Sequence, residues 1–163
     1  MIIEKIGFGG GCHWCTEAYF QSLKGVEKVE QGWISSTIPN DTFSEAVIVH
    51  YNPFIIPLKI LTAIHLHTHA STKSHSFRKK YRSAVYVFGK IAESQKLISE
   101  CQVDFDEQII TQTLLFCQFK LNTEQQHNYY KKNKEGIFCE RYISPKLQMI
   151  EIEYATYFKQ IRN

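Results

Sequence analysis

Apolar and polar residues alternate along the chain in short stretches that predict strands separated by helices. Residues 3–8 predict a strand that runs into three glycines, and from Cys12 to Gly25 the apolar positions recur at helical spacing. A polar, turn-rich segment, 35–41, and a His-rich basic loop, 67–80, interrupt the later elements. Further strands are predicted at 26–34, 45–51, 83–88 and within 109–119, and further helices from Pro57, at 91–105 and at 124–134.

The order of these elements is strand, helix, strand, strand, helix, strand. This order predicts an α+β fold, a two-layer α/β sandwich with a ferredoxin-like (split βαβ) core. The segment after residue 134, which contains Cys139, is expected to be an irregular C-terminal tail. Because no repeat, linker or low-complexity tract interrupts the chain, residues 1–163 are expected to form a single domain.

Composition and charge mainly exclude certain classes of protein. The chain has 163 residues, of which 44% are hydrophobic and 21% charged, so it can bury a core without a metal or a disulfide framework. A net charge of +3, spread along the chain, lacks the basic face or motif of nucleic-acid binding. Because the sequence has neither a secretory signal pattern nor an apolar run of about 20 residues, we expect a cytoplasmic protein with no membrane contact.

Five cysteines are present, which is an odd number for a structural disulfide framework. Redox or catalytic use of some of them is therefore the better interpretation. Cys101 and Cys117 fall in a predicted helix and a predicted strand and are expected to be packing residues.

The most informative position is Cys12, at the junction of the glycines with the first helix. Glycines allow a sharp turn there, and unpaired backbone N–H groups at a helix N-terminus favour a thiolate, which is the nucleophilic form. One alternative is a small buried cysteine beside packing glycines. Another is a thioredoxin-like Cys-x-x-Cys, because Cys15 lies one helical turn further on.

The stretch 7–20, Gly-Phe-Gly-Gly-Gly-Cys-His-Trp-Cys-Thr-Glu-Ala-Tyr-Phe, resembles the signature of the A-type peptide methionine sulfoxide reductases, which reduce the S epimer. The stretches 44–53 and 81–86 resemble two of the family's strands. The family's C-terminal helix and tail cysteine have counterparts here. They are Glu124, His127, Tyr130 and Cys139. The similarity spans about residues 5–140.

This resemblance implies a role for each matching residue. Cys12 would attack the sulfoxide sulfur, and Glu45 would be the acid that protonates the departing oxygen. Trp14 would form an apolar wall for the substrate's methyl group, and Tyr81 would donate a hydrogen bond to the sulfoxide oxygen. The substrate would be methionine sulfoxide, free or in oxidised proteins. No cofactor is expected, and a monomer is expected for a member of this family.

Attack would leave Cys12 as a sulfenic acid that condenses with a second thiol. Cys139 matches the family's tail cysteine and is the preferred candidate, while Cys15, close in sequence, stays open. An external dithiol would then reopen the disulfide, and thioredoxin is the usual one in such enzymes.

The chain also departs from the family pattern. The segment between Trp33 and Glu45 is short and lacks a tyrosine that contacts the sulfoxide, and Ser76 stands where the family has an aspartate. His13 stands where phenylalanine is usual. Either His13 and His75 replace the lost donors and contact the substrate, or substrate and rate differ from the family norm. A module that binds sulfoxides or peptides without turnover is the alternative.

A third hypothesis is a transition-metal site, because imidazole and thiolate are suitable ligands. The candidate ligands are His65, His67, His69 and His75 together with Cys12 and Cys15. The spacing matches no recognised zinc motif, and lysines are nearby, so no metal is expected.

Overall fold

The computed structural model describes residues 2–159, which form one six-stranded sheet and the helices packed on it. The strands are β1 Glu4–Gly9, β2 Val26–Ser35, β3 Ser44–Tyr51, β4 Ala84–Val87, β5 Gln112–Leu115 and β6 Gln118–Leu121. The helices are α1 His13–Gln21, α2 Leu58–Thr68, α3 Ile91–Cys101, α4 Tyr129–Lys132 and α5 Ser144–Glu153. A 3₁₀ turn, Ser76–Lys79, precedes β4.

The strands lie in the order β5-β4-β1-β3-β2-β6. The four central strands are antiparallel to their neighbours in the order β4-β1-β3-β2, the arrangement of a split βαβ sandwich. This order confirms the predicted α+β fold class. At the two edges, β5 joins β4 in parallel and β6 joins β2 antiparallel.

The larger hydrophobic core lies between the sheet and its helices. Successive residues of a strand face opposite sides, so Ile6 and Phe8 of β1 and Val47 of β3 all face the helices. Phe8 stacks on Phe20 of α1 with ring centroids 4.6 Å apart, which fixes this helix over the sheet. A smaller apolar cluster covers part of the opposite face.

Two C-terminal segments differ from the prediction. The helix predicted over 124–134 is reduced to Tyr129–Lys132, because this polar segment has no apolar face of sufficient length to bury. The segment after residue 138 is more regular than expected: a π-helical turn, Cys139–Ile143, leads into α5. Ile143, Leu147 and Ile150 recur at helical spacing and pack into the core, so the sequence did contain this signal.

The sheet brings distant parts of the chain to the end of β1. Gly9, the last residue of β1, pairs with Ala46 near the start of β3 and with Ala84 at the start of β4. The turn that follows Gly9 and carries Cys12 therefore meets the N-terminal ends of both neighbouring strands. Glu45 lies at one of these ends, and Tyr81 precedes the other.

Candidate active site

Cys12 lies at the N-terminal cap of α1, half-buried. A hydrogen bond from the Cys15 thiol lowers the pKa of Cys12, and the backbone N–H groups of Cys15 and Trp14 lower it further. Burial and the nearby Glu45 oppose this shift, but the net direction of the pKa is downward. The lowered pKa of Cys12, at a helix N-terminus, favours the nucleophilic thiolate form relative to an ordinary thiol.

Cys15 has the opposite character. Its hydrogen bond to Cys12 and its burial raise the pKa of Cys15 far above that of an ordinary thiol, so it stays protonated. Tyr19 forms a hydrogen bond with the Cys15 sulfur from the next turn of α1, and its own pKa is raised by burial. Cys139 is close enough for its charge to act on Cys15. The pKa of Cys12 is therefore lowered and that of its neighbour Cys15 is raised.

An open pocket of about 500 Å³ lies beside Cys12. Trp14 forms one wall; its ring stacks on Tyr129 at 4.2 Å and meets the edge of Phe138 at 5.8 Å. The pocket brings together the predicted residues Cys12, His13, Trp14, Glu45 and Tyr81. Its other lining residues, which the sequence did not point to, are Trp33, Lys80, Asn122, Gln126 and Phe138.

Glu45 is buried at the base of this pocket, and its two carboxylate oxygens have different surroundings. Oε1 accepts a hydrogen bond from the His13 backbone N–H at 3.3 Å and lies 3.2 Å from Nε2 of the His13 ring. Oε2 lies 3.7 Å from the Nζ of the exposed Lys80. Glu45 is shielded from solvent because β3 is a central strand and Glu45 lies at its buried end.

The loop that carries Tyr81 is held by a residue that sequence analysis missed. The Arg78 guanidinium donates to the Gly10 carbonyl at 3.0 Å and to the Tyr81 carbonyl at 2.9 Å. It also donates to the carbonyls of Ala70 and Lys73. One planar side chain thus joins the glycine turn before Cys12 to the backbone of Tyr81. No local pattern marks this arginine among its basic neighbours.

A second cavity, of about 210 Å³, reaches Cys12 and Cys15 from the side of α2. His65 and His69 line it, with stacked rings 4.2 Å apart. Burial lowers the pKa of His65 well below 6.5 and that of His69 to about 4, so both are neutral at pH 7. His65 hydrogen-bonds to the Gly9 carbonyl and His69 to the Ser83 hydroxyl. Over residues 2–159, no three His, Cys, Asp or Glu side chains are arranged to hold a metal ion.

The remaining candidates lie away from the first pocket. Cys139 is fully buried in the hydrophobic core, and Cys101 is buried at the end of α3. The prediction that Cys117 is a packing residue is wrong, because it lies exposed in the turn between β5 and β6. His75 accepts a hydrogen bond from the Phe77 backbone N–H, so it caps the 3₁₀ turn and does not replace a lost donor in the pocket.

No helix in the described part of the chain is both long enough and apolar enough to cross a bilayer.

Comparison with known proteins identifies the relatives of this fold and site. A family model described as peptide methionine sulfoxide reductase matches residues 4–157. The chain is 31% identical to the peptide methionine sulfoxide reductase MsrA of Deinococcus radiodurans over 93% of this chain and 82% of the relative. It is similar to the crystal structure of reduced Mxr1 from Saccharomyces cerevisiae, with a TM-score of 0.73, 25% identity and coverage of 84% and 89%. A structure of Mxr1 in complex with Trx2 matches with a TM-score of 0.62 and 23% identity, covering 76% of this chain and 83% of that one.

Proposed function

The chain belongs to the peptide methionine sulfoxide reductase family, and we propose that Cys12 is the nucleophile and Glu45 the acid of a methionine S-sulfoxide reductase. Membership establishes thiol-dependent reduction of methionine sulfoxide as the activity. The contacts around Cys12 support the assignment of individual roles. The substrate is methionine S-sulfoxide, free or within a protein.

The first step transfers the sulfoxide oxygen to Cys12. The Cys12 thiolate attacks the sulfoxide sulfur, and Glu45 delivers a proton to the oxygen. Attack joins the Cys12 sulfur to the methionine sulfur in a transient adduct that carries the hydroxyl. This sulfur–sulfur bond and the bond between methionine sulfur and oxygen then break as the bond between Cys12 sulfur and oxygen forms. Methionine sulfur gains two electrons, Cys12 loses two, and the products are methionine and a Cys12 sulfenic acid.

The other pocket residues bind and orient the substrate. Trp14, held by stacking on Tyr129, supplies an apolar face for the methyl group. Tyr81, fixed by Arg78 through its carbonyl, lines the pocket where its hydroxyl can donate to the sulfoxide oxygen. Lys80 adds a positive charge at the mouth of the pocket and favours a polar, partly negative oxygen there.

Cys15 is the thiol that resolves the sulfenic acid. The resemblance favoured Cys139, but the hydrogen bond between Cys12 and Cys15 supports direct attack by Cys15. Attack forms the Cys12–Cys15 disulfide, and the sulfenic hydroxyl leaves as water with the Cys15 proton. Cys139, buried close to Cys15, is the second candidate and can exchange with this disulfide.

An external dithiol must then restore the two thiols. Thioredoxin is the proposed reductant: Mxr1 was crystallised with Trx2, a thioredoxin, and exchange with a dithiol is the chemistry that a Cys12–Cys15 disulfide requires.

The observation that carries the proposal is the lowered pKa of Cys12 beside a buried carboxyl in one pocket. The test is turnover of methionine S-sulfoxide and R-sulfoxide with dithiothreitol. We expect turnover of the S epimer, none after Cys12→Ser, and a loss of about 10²-fold or more after Glu45→Gln. Cys117→Ser, which removes an exposed thiol far from the pocket, is the matched control and should leave the rate unchanged. A folded wild type with no turnover would instead support the binding-module alternative.

A further inference from the structure

The His13 ring is buried, and both of its nitrogens have partners. Nδ1 lies 2.9 Å from the Gly32 carbonyl oxygen, which can only accept a hydrogen bond. Nδ1 must therefore carry a hydrogen and donate. In the neutral ring, Nε2 then carries no hydrogen and presents only a lone pair.

This assignment leaves one contact that needs a proton. Nε2 of His13 lies 3.2 Å from Oε1 of Glu45. A neutral Nε2 and a carboxylate oxygen would present two lone pairs to each other in a buried place. The contact is attractive only when a proton lies between them, on either atom.

From this geometry we propose that His13 and Glu45 share one proton and that this shared proton is the one delivered to the substrate. His13 is thus a positioning residue that acts through Glu45. The inference rests on the proposed role of Glu45 as the acid. It differs from the sequence expectation that His13 contacts the substrate, since both ring nitrogens are already engaged with protein atoms.

The shared proton closes the reaction cycle without a further reactant. Delivery to the sulfoxide oxygen leaves a neutral His13 facing a Glu45 carboxylate. When the dithiol reopens the Cys12–Cys15 disulfide, Cys12 is regenerated as a thiol. Its proton returns to the His13–Glu45 pair, because an unprotonated Glu45 opposes the Cys12 thiolate and a protonated pair does not. Each turnover thus removes one proton from the pair and restores one.

Few other titratable groups face this pair. Cys12 lies on the same helix as His13, and Lys80 approaches Oε2 of Glu45 at 3.7 Å. Tyr81 lines the same pocket, and the neutral amide of Asn122 lies 3.4 Å from Nε2 of His13. On β6, Lys120 pairs with Trp33, which separates it from Glu45 in the sheet. Lys80 is exposed and in contact with water, so it cannot replace a proton inside the buried pair.

Nuclear magnetic resonance of the wild type tests the pair directly, without turnover. With ¹⁵N-labelled histidine and ¹³C-labelled glutamate, we expect Nδ1 of His13 to be protonated throughout the pH range. We also expect Nε2 of His13 and the Glu45 carboxyl carbon to change together, in one common step. Two separate steps, or a ring protonated on Nε2 and not on Nδ1 at neutral pH, would overturn the proposal.

The pH profile of kcat/KM tests the catalytic consequence. In His13→Gln, the amide donates to the carboxylate and cannot take up its proton, so the alkaline limb should move to lower pH by about one unit, a tenfold loss at a fixed alkaline pH. The control is His50→Gln, because His50 forms a similar pair with Glu30 at 2.6 Å, five residues along β3 and roughly 17 Å away. It should leave the profile unchanged.

The outcomes separate the two proposals. A uniform loss in His13→Gln, with both limbs unmoved, would assign His13 a merely structural role and overturn the inference. Shared titration in a wild type without turnover would instead contradict the proposed function and leave the pair itself intact. If His13→Gln fails to fold, judged by circular dichroism, the resonance experiment on the wild type still decides the question.

Discussion

The glycine turn before Cys12 makes a sharp prediction, because two adjacent glycines in it have different surroundings. At Gly10, φ is +149°, and an added Cβ would lie 2.7 Å from Nε2 of His69 and closer still to its ring carbon. At Gly11 the backbone is ordinary, and the nearest atom to an added Cβ, the Cβ of His69, is 3.9 Å away. Gly10→Ala should therefore destabilise the protein, and Gly11→Ala should not.

The magnitude follows from two contributions. Forcing alanine into a backbone region that favours glycine costs about 1–3 kcal/mol. The His69 ring must also turn away, which breaks its hydrogen bonds to the His65 carbonyl and the Ser83 hydroxyl, each worth about 1 kcal/mol. We expect Gly10→Ala to lower the free energy of unfolding by at least about 3 kcal/mol and Gly11→Ala to change it by less than ~1 kcal/mol.

Urea denaturation followed by circular dichroism measures both variants. A loss of about 3 kcal/mol moves the midpoint down by roughly 1.5 M for a domain of ordinary size. The double variant Gly10→Ala/His69→Ala removes the clashing ring, so its loss should be smaller than the sum of the single losses. Equal midpoints for Gly10→Ala and Gly11→Ala, or simple additivity in the double variant, would show that the Gly10 backbone and its contact with His69 do not limit stability.

Three further predictions concern the same region. Arg78→Met should lower the free energy of unfolding by about 2–4 kcal/mol, because the partly buried carbonyls of Gly10 and Tyr81 lose a charged donor. Arg78→Lys should restore only part of the lost stability. Equal melting temperatures of Arg78→Met and the wild type would contradict this. In Cys15→Ala, Cys12 should react several-fold more slowly with iodoacetamide at neutral pH, because loss of the hydrogen bond lets the pKa of Cys12 rise. Peptide mass mapping measures this alkylation rate, and an unchanged rate would contradict the prediction. The free energy of unfolding should fall as pH drops from about 6.5 towards 4, because His65 and His69 take up protons in the unfolded chain but stay neutral in the folded protein. If His69→Gln leaves the slope of unfolding free energy against pH unaltered, this prediction is contradicted.

The fold was predictable where the pattern is strong and local. The short apolar runs in β1 and β3, the glycines before Cys12 and the helical spacing of α1 are each local signals, and together they indicated the split βαβ core. The C-terminal helix α5 was missed even though Ile143, Leu147 and Ile150 carry its apolar stripe, because polar residues surround the stripe and dilute the signal.

The site was predictable only in part. Its chemical residues came from the helix N-terminus at Cys12 and from the resemblance to a known family, which alone pointed to Glu45. The contacts that organise it join residues far apart in sequence: Arg78 is 68 residues from Gly10, and His13 is 32 from Glu45. Such contacts depend on strand pairing and backbone carbonyls, for which a single sequence has no local pattern.

Cys12 is proposed to receive the sulfoxide oxygen. A single-turnover experiment tests this oxygen transfer to Cys12. The reduced Cys15→Ser/Cys139→Ser variant is mixed with methionine S-sulfoxide in the absence of a reductant and is then treated with dimedone. Its peptides are mapped by mass spectrometry. We expect one equivalent of methionine per chain and a dimedone adduct on Cys12 alone. Methionine formation with no adduct on Cys12, or an undiminished yield after Cys12→Ser, would contradict it.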